Sequence, residues 1–421
     1  MESDQKNLTD LDIIQLLSLG DAIPPDERYA DKYRLKTFFS VKKGYSAVTS
    51  GRIDWIPCKL SQVPHLFQTD AVKIDAAFVQ ITPPDKRGLC SLGVSTDVAK
   101  YAIERATLVV GEINDQTPYT FGDTFIHVND FHYLVKSTEP LLYMKRWPVD
   151  ETFDRVAENV ASVIDDGSCL AFFLGPVYEA LVKYLSTKRD LGIHSLVLTE
   201  PAMDLMNSGA VSNKNKKIFN GKSLVAYAQG TPELMQWLDG NQLVEFQRID
   251  IVVNPKTISQ NDQTVVIIPA YKADLTGAIA LHASRKNLSA GPSDYYEFLA
   301  GAALSSGGCN IFALPSRSRK GESNILSSVD KFPNQFSTEL INIIATEYGI
   351  AHGHAIGLLL PHVVRFNGEL VNEWYHDLLE VTPSGNGFPS PSSGAKGLAD
   401  FLTHLAEQAH LPLRLAECGV D

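Results

Sequence analysis

The sequence predicts an α/β protein in which short buried strands alternate with amphipathic helices. Short apolar runs bounded by turn residues are typical of strands buried on both faces. Such runs occupy residues 76–81, 106–110, 169–174, 195–198, 264–268 and 310–314. Between them, apolar residues recur at three- and four-residue spacing in the segments 96–105, 149–164 and 177–186. This alternation is the pattern of open α/β sheets.

The domain organisation follows from the length of the chain and from changes along it. The 421 residues, 44% of them hydrophobic, are enough for about two to three domains with their own cores. A strand-rich block gives way to a helix near Pro148. Beyond residue 351 the pattern indicates helices around a Pro/Ser/Gly-rich loop. We therefore expect domains at 1–148 and 149–351 and a short, mostly helical tail at 352–421.

Charge and cysteine content argue against several classes of protein. The net charge is −12 with no basic run, so we expect no nucleic-acid or membrane partner. The five cysteines include no C-x-x-C pair, which indicates reduced thiols. The N-terminus lacks the basic start and apolar core of a signal peptide. No window reaches the roughly 18 apolar residues of a membrane span. These features predict a soluble, cytoplasmic protein.

The most informative stretch lies in the first third of the chain. It reads I-T-P-P-D-K-R-G-L-C-S-L-G-V-S-T-D at 81–97 and G-E-I-N-D-Q-T-P-Y-T-F-G-D-T-F-I-H-V-N-D at 111–130. Gly93 permits close approach of the backbone to a neighbour. Asn114 and Asp115 follow an apolar strand, at the sheet edge where α/β proteins bind ligands. Taken singly, these residues are equally consistent with ordinary turns.

Taken together, this string resembles the acetyl-CoA hydrolase/transferase family, in particular its 4-hydroxybutyrate CoA-transferase-like members. The similarity covers about residues 16–351 and continues in order through D-L-G-I-H-S, M-N-S-G-A-V-S-N-K-N-K-K, A-D-L-T-G, F-L-A-G-A-A-L-S-S-G-G, I-F-A-L-P-S and A-T-E-Y-G-I-A. The resemblance implies two open α/β domains of the CoA-transferase type. The family's N-terminal segment has no counterpart before residue 16, so the first domain is expected to be truncated.

The resemblance implies a ping-pong exchange of CoA between a short acyl-CoA and a carboxylate such as acetate. A glutamate carboxylate attacks the thioester to give a mixed anhydride, and the CoA thiolate then forms a glutamyl-CoA thioester. Backbone N–H groups in glycine-rich loops hold CoA and stabilise the developing oxyanion. Coenzyme A is then a substrate, with no permanently bound cofactor. A homo-oligomer is also expected from the family.

The glutamate position implied by the resemblance is occupied by leucine. The family motif G-I-H-S-E reads G-I-H-S-L here and ends at Leu196, which cannot form a thioester. We therefore expect impaired activity, with Glu200 and His282 as candidate substitutes. Glu200 lies about 13 Å further along an extended chain. His282 could act as a base for direct hydrolysis. For both residues, an ordinary structural role is the favoured interpretation.

Two loops that the resemblance assigns to CoA depart from the family pattern. The loop similar to G-I-G-x-I-P reads A-F-F-L-G-P and assigns CoA binding to Phe173, Leu174 and Gly175. The turn similar to S-G-x-G-G-Q-x-D-F reads S-A-G-P-S-D-Y-Y-E-F and contributes Gly291. Replacing glycine restricts the backbone, and proline also removes an amide donor.

The tail resembles a different family. Residues 352–367, H-G-H-A-I-G-L-L-L-P-H-V-V-R-F-N, and the C-terminus are similar to iron-containing alcohol dehydrogenases and maleylacetate reductases. The resemblance makes His352 a weak candidate metal ligand. A metal site needs several ligands, and the sequence lacks the aspartate-bearing helix, the preceding histidine motif and the dinucleotide domain. We therefore expect a fused tail without a metal site.

Three classes of function remain open. The first is an active or weakly active CoA-transferase or acyl-CoA hydrolase, and the second is a non-catalytic relative that binds CoA or a partner. The third is a metal- or nicotinamide-dependent oxidoreductase. The family resemblance favours the first class, while Leu196 and the altered loops favour the second. The missing dinucleotide domain argues against the third.

Overall fold

The computed structural model describes residues 10–16, 32–38, 51, 53–274, 277–281, 293–332, 335–336, 338–352, 364, 372 and 394–408. The strands up to residue 137 are β1 (Leu11–Gln15), β2 (Tyr33–Thr37), β3 (Ile53–Trp55), β4 (Ala76–Ile81), β5 (Leu89–Ser91), β6 (Leu108–Asn114), β7 (Phe121–Gly122), β8 (Phe125–His127) and β9 (Tyr133–Ser137). These strands form the parallel sheets β1-β2-β3 and β4-β6-β9 and the antiparallel pair β5-β8, while β7 joins a later sheet.

The following strands are β10 (Cys169–Ala171), β11 (Gly192–Ile193), β12 (Val197–Leu198), β13 (Ser223–Val225), β14 (Tyr227–Ala228), β15 (Val244–Phe246), β16 (Thr264–Pro269), β17 (Lys272–Asp274), β18 (Ile279–Ala280), β19 (Cys309–Ala313), β20 (Ile325–Leu326), β21 (Gln335–Phe336), β22 (Ile343–Thr346) and β23 (Gly349–His352). The largest sheet has the order β11-β10-β16-β19-β22-β23 and is parallel except at β23. Residues 264–268 of β16 are fully buried, as expected for a parallel sheet covered on both faces.

The helices are α1 (Val63–Gln68), α2 (Ala99–Arg105), α3 (Glu151–Ser162), α4 (Pro176–Leu185), α5 (Glu200–Asn207), α6 (Pro232–Leu238), α7 (Ile249–Val252), α8 (Pro255–Ile258), α9 (Ser293–Leu304) and α10 (Gly394–Gln408). Side-chain caps fix three of the starts, because the side chains of Asp150, Thr231 and Asn254 accept hydrogen bonds from the amides of Phe153, Leu234 and Lys256 respectively. The predicted α/β class is confirmed.

Two sequence predictions differ from the structure. The predicted strand at 169–174 ends at Ala171, because Gly175 adopts a φ of 141° and turns the chain into α4. The predicted burial of strand 76–81 on both faces is wrong for one face, since Phe78 on β4 is 76% exposed. Ala77 and Ile81 on the same strand are buried, and Ile81 packs with partly buried Val79 in a small core. Alternation along β4 therefore buries one face only.

Another sheet joins the first part of the chain to the second. Its order is β13-β15-β7, so β7 from the first part lies parallel to β15 from the second. Gly122 of β7 is tightly enclosed, because an added Cβ would lie 2.1 Å from the carbonyl oxygen of Phe246. The amide of Ala228 also donates to the carbonyl of Val94 at 3.0 Å. Strand pairing therefore fixes this junction.

The predicted tail contains the helix α10, where Ala395, Leu398 and Ala399 pack in a small cluster with Val364. Helical structure in the tail agrees with the sequence prediction for these residues, whereas the motif after His352 lies outside the described residues except for Val364. No helix in the described segments is long and apolar enough to cross a membrane.

Candidate functional site

Position 196 lies in the main hydrophobic core. Leu196 is buried, and its carbonyl accepts the amides of Ala226 at 3.1 Å and Tyr227 at 3.3 Å. The preceding Ser195 exchanges hydrogen bonds with the backbone of Phe172. A carboxylate at 196 would be surrounded by apolar side chains, where an unpaired charge is costly. The expectation that Leu196 occupies the family's glutamate position, so that this nucleophile is missing, stays a prediction.

Glu200, the candidate substitute, is a buried residue that hydrogen-bonds to the backbone of another segment. It is the first residue of α5 and 2% exposed, and its Oε1 accepts the Thr231 amide at 2.6 Å. A Cβ added to Gly230 would lie 2.4 Å from the same oxygen. This carboxylate holds the turn before α6, which agrees with the structural interpretation favoured from the sequence.

The structure brings Glu200 together with the predicted CoA loop. Phe173, Leu174 and Gly175 line one pocket with Glu200. Met144, Lys145 and Trp147, in the linker between β9 and α3, also line it. The pocket has room for about one water molecule.

Aromatic packing and an ion-pair cluster close this region. Phe173 makes edge-to-face contacts with Tyr295 and Phe298, at centroid distances of 4.9 and 5.4 Å. Arg146 of the linker bridges Glu179 at 2.7 Å and Asp204 at 2.6 Å. The side chain of Phe173 therefore fills space that a glycine at this position would leave open for a ligand.

The remaining predicted residues fall at the limits of the described structure. His282 and Gly291 lie outside the described residues, and only the backbone of His352 is described, at the end of β23. In the part of the chain that the structure describes, no group of three or more His, Cys, Asp or Glu side chains could hold a metal ion. The resemblance of the tail to iron-containing alcohol dehydrogenases stays a prediction.

His194, in the same motif as Leu196, is a core residue. Its Nε2 hydrogen-bonds with the carbonyl of Val252 at 2.8 Å, and its Nδ1 faces the amide of Asn261 at 3.4 Å. Burial, with a smaller contribution from the charge of Lys216, lowers the pKa of His194 to about 3. The imidazole is therefore neutral and holds two backbone segments together.

A different carboxylate, Glu245 on β15, has the properties that a nucleophile needs. Its side chain is 12% exposed, and its Oε2 lies 2.6 Å from the Nζ of Lys222. Its Oε1 accepts a hydrogen bond from the side-chain amide of Gln247 at 2.9 Å. Both donors are side chains, so a substrate can displace them without breaking the backbone structure. Leu224 and Phe121 stand beside Glu245 in register on the adjacent strands.

A buried lysine fixes the backbone beneath Lys222. The Nζ of Lys216 donates to the carbonyl of Lys222 at 2.7 Å and to that of Ile193 at 2.8 Å. Burial lowers the pKa of Lys216 to about 8, against the opposing effects of Cys169 and Glu245. Lys216 thereby connects the 192–196 motif to the cation that faces Glu245.

Ion pairs hold the end of the Glu245 strand against the first part of the chain. Asp123, in the turn after β7, contacts Lys100 and lies 3.1 Å from Nε of Arg248. The hydroxyl of Tyr101 donates to Asp250 at 2.8 Å, and Arg248 stacks on the Tyr101 ring. The Glu245 carboxylate therefore lies on a strand that pairs with β13 on one side and β7 on the other.

Sequence reasoning missed Glu245 because V-E-F reads as an ordinary alternating strand. Its signal was a charged residue between two core residues, Val244 and Phe246. The partner Lys222 lies in another segment, and only the parallel register of β13 and β15 brings the two together.

Family models match both parts of the chain. The model of the acetyl-CoA hydrolase/transferase N-terminal domain matches residues 2–143, and that of the C-terminal domain matches residues 230–355. The chain is 34% identical over 348 residues to 4-hydroxybutyrate coenzyme A transferase of Clostridium kluyveri, covering 82% of this chain and 81% of that protein. It is 31% identical over 351 residues to succinyl-CoA:acetate/propanoyl-CoA:succinate CoA transferase of Fasciola hepatica, covering 82% and 73%.

Solved structures agree with these matches. A 4-hydroxybutyrate CoA-transferase from Porphyromonas gingivalis is similar with a TM-score of 0.64 and 29% identity, covering 77% of this chain and 80% of that one. The fold is also similar to that of RipA from Yersinia pestis, with a TM-score of 0.74 and 24% identity over 96% of this chain and 88% of that one. From its sequence matches and its fold, the chain belongs to the acetyl-CoA hydrolase/transferase family.

Proposed function

We propose that this protein transfers coenzyme A between a short acyl-CoA and a small carboxylate, with Glu245 as the covalent nucleophile. The observation that carries the proposal is a nearly buried carboxylate whose partners among the described residues are two side-chain donors, Lys222 and Gln247. It stands on a strand that pairs with both parts of the chain. The names of the relatives, which describe this exchange for those proteins, support the reaction class.

The three most deeply buried carboxylates in the described segments, Glu200, Asp274 and Glu297, have backbone partners. Glu200 accepts the amide of Thr231, and Glu297 accepts that of Ser61. Asp274 accepts the amides of Ala278 and Val329. Turning any of these into an anhydride would leave a buried donor without its acceptor, which costs about 1–3 kcal/mol. The described partners of Glu245 are side chains, so acylation there breaks none of the described backbone hydrogen bonds.

The reaction divides into two symmetrical halves. A carboxylate oxygen of Glu245 attacks the acyl-CoA carbonyl carbon, the C–S bond breaks, and CoA leaves as thiolate from a mixed anhydride. The thiolate attacks the glutamyl carbonyl carbon and expels the acyl group as a carboxylate. An acceptor carboxylate then attacks the glutamyl-CoA thioester and releases thiolate, which takes the acceptor acyl group and frees Glu245. Charge and atoms balance without an external acid or oxidant.

The proposal extends to short acyl groups and acetate as acceptor, since the relatives named above act on 4-hydroxybutyrate, succinate, acetate or propanoyl groups. With this assignment, Leu196 no longer implies that the protein lacks a nucleophile. With Glu245 in place, position 196 need not supply the nucleophile, and the predicted impairment has its physical basis in the filled loop at Phe173 instead. Glu200 remains the second carboxylate to test.

A specific observation favours the alternative, a non-catalytic CoA-binding or partner-binding relative. The pocket beside Phe173, Leu174 and Gly175 is nearly filled by the chain's own side chains. A family member whose loop no longer admits CoA would keep the fold and lose turnover. Activity measurements separate this alternative from the proposal.

The experiment measures thiol release and acyl transfer with acetyl-, butyryl- and 4-hydroxybutyryl-CoA, with and without acetate. We expect transfer by the native chain and a loss of at least about 1000-fold in Glu245→Gln. Glu233→Gln, at an exposed position on α6, is the matched control and should retain native activity. Loss in Glu200→Gln but not in Glu245→Gln would contradict the assignment. No transfer by the native chain or by Leu196→Glu would support the non-catalytic alternative.

A further inference from the structure

The linker between β9 and α3, residues 138–150, forms part of the pocket at the predicted CoA loop. None of its residues belongs to a helix or a strand. Met144, Lys145 and Trp147 of the linker line the pocket together with Leu174. With a volume of about 10 Å³, the pocket holds one water molecule at most. The thiol-bearing arm of CoA therefore cannot enter while the linker stays in this position.

Arg146 fastens the linker to two helices. Its guanidinium donates two hydrogen bonds to Oε2 of Glu179 on α4, at 2.9 Å from Nε and at 2.7 Å from a terminal nitrogen. The same terminal nitrogen donates to Asp204 on α5 at 2.6 Å. The Glu179 side chain is only 7% exposed, so water screens this contact less than it screens a surface ion pair. Charge-assisted hydrogen bonds of this kind are strong.

The rest of the linker is held loosely. The amide of Met144 donates to the carbonyl of Gly230 at 2.8 Å, and that of Trp147 donates to Oε1 of Glu179 at 3.2 Å. Leu142 is 59% exposed and therefore contributes little to packing. Segments with few hydrogen bonds and little buried apolar surface open at a low cost in free energy. Arg146 is therefore the contact that most restrains the linker.

The linker is also the wall of the pocket that can move. Phe173 belongs to the main hydrophobic core and packs edge-to-face on Phe298 at 5.4 Å. Its displacement would leave a void in that core, which is costly. Lys145 and Trp147 are already in contact with solvent. Opening of the linker therefore enlarges the pocket without disturbing the core.

We propose that the linker is an autoinhibitory element, which closes the pocket against CoA until the contacts of Arg146 break. The inference rests on the proposed CoA-dependent reaction, but not on which residue is its nucleophile. CoA binds only the open form, so the ligand and the linker compete for the same space. The apparent dissociation constant of CoA then rises as the fraction of open protein falls.

The first experiment measures CoA binding by equilibrium dialysis. Arg146→Gln removes the guanidinium, whereas Trp147→Ala removes one wall of the pocket and leaves the ion pairs in place. Arg155→Gln is the matched control, because Arg155 forms an exposed ion pair with Glu151 within α3. Urea unfolding of each variant verifies that it is folded.

We expect Arg146→Gln and Trp147→Ala to bind CoA at least about tenfold more tightly than the native chain. Arg146→Lys keeps a cation and should give an intermediate affinity, and Arg155→Gln should bind as the native chain does. A merely structural role of these residues would not tighten binding.

The second experiment follows the linker itself by limited digestion with trypsin, which cuts after Lys145 and Arg146. Mass spectrometry identifies the cuts at these two positions. Because cleavage follows the population of the open form, saturating CoA should accelerate it at least about threefold in the native chain. Trp147→Ala should be cut faster than the native chain in the absence of CoA.

The outcomes distinguish the inference from the proposed function. Equal CoA affinities for the native chain, Arg146→Gln and Trp147→Ala would overturn the inference and leave the proposed function standing. Slower cleavage at Lys145 and Arg146 with CoA present would also overturn it, since the linker would then close over the bound ligand. Failure of the native chain and of both variants to bind CoA would overturn the inference and the proposed function together.

Discussion

Glu297 on α9 holds the segment before α1 to the second part of the chain through Ser61. Its carboxylate accepts the Ser61 amide at 3.2 Å and also the Ser61 hydroxyl. The two residues are 236 positions apart, and Glu297 is buried. Burial raises the pKa of Glu297, while the hydrogen bonds from Ser61 oppose the shift. This contact docks the beginning of the chain on the larger core.

We expect Glu297→Ala to lower the free energy of unfolding by about 1–3 kcal/mol, because it leaves the Ser61 donors unpaired. Glu297→Gln keeps an oxygen acceptor and should cost less. Urea denaturation measures both, with Glu104→Ala at an exposed position on α2 as the control. Equal stabilities for Glu297→Ala and the control would refute the tie.

Gly122 fixes the strand pairing that holds Glu245. Its φ is 114°, and a Cβ would lie 2.1 Å from the carbonyl oxygen of Phe246. We expect Gly122→Ala to destabilise the protein by about 1–3 kcal/mol or more and to lower transfer activity by displacing β15. Gly209→Ala, at a positive φ with nothing within 4 Å of the added Cβ, is the matched control. Equal melting temperatures for the two variants would contradict this role of Gly122.

His194 predicts a specific dependence of stability on pH. Burial holds the folded pKa at about 3, well below the unfolded value of about 6.5. As pH falls below about 6.5, the unfolded chain binds a proton that the folded chain does not. The free energy of unfolding then declines by up to about 1.4 kcal/mol per pH unit.

The groups that face the imidazole are the Val252 carbonyl, the Asn261 amide, the Phe298 ring and the ammonium of Lys216. We expect His194→Gln to have a shallower decline than the native chain between pH 6.5 and 4, measured by urea unfolding at each pH. His65→Gln, at an exposed position on α1, should leave the slope unchanged. Parallel slopes for the native chain and His194→Gln would contradict the assignment of a neutral core histidine.

Coenzyme A should stabilise the folded protein. A ligand present at 100 times its dissociation constant adds about 2.7 kcal/mol to the free energy of unfolding if it binds the native state only. We expect Gly175→Ala to reduce the CoA-induced rise in melting temperature, because its φ of 141° is unfavourable for alanine and the loop must move. Gly240→Ala, at a positive φ on the surface, should keep the rise. A rise that is equal in both variants would remove the loop from the CoA site.

Much of the fold follows from local patterns in the sequence. The apolar run at 76–81 coincides with β4, and the predicted strand at 264–268 is extended by one residue in β16. The helix predicted at 149–164 becomes α3, which is shorter at both ends, and the helix predicted at 177–186 becomes α4, which begins and ends one residue earlier. The strand at 169–174 could not be bounded correctly, because Phe172 and Phe173 continue the apolar run but pack into an aromatic cluster. An apolar run does not distinguish the two outcomes.

The candidate site depends on contacts between distant segments, and the sequence does not show them. Glu245 and Lys222 meet through strand register, and Lys216 connects both to the 192–196 motif. Leu196 drew attention through a family motif, yet its surroundings are apolar. Burial and hydrogen-bond partners, which only a structure supplies, separate a core position from a reactive one.

Identification of the residue that carries the covalent intermediate decides whether Glu245 is the nucleophile. The native chain is incubated with acyl-CoA and hydroxylamine, which converts a glutamyl thioester to a hydroxamate, and the modified peptide is sequenced by mass spectrometry. We expect a hydroxamate at Glu245, absent in Glu245→Gln and retained in Glu200→Gln. A hydroxamate at Glu200 or elsewhere, or none at all in the native chain, would contradict it.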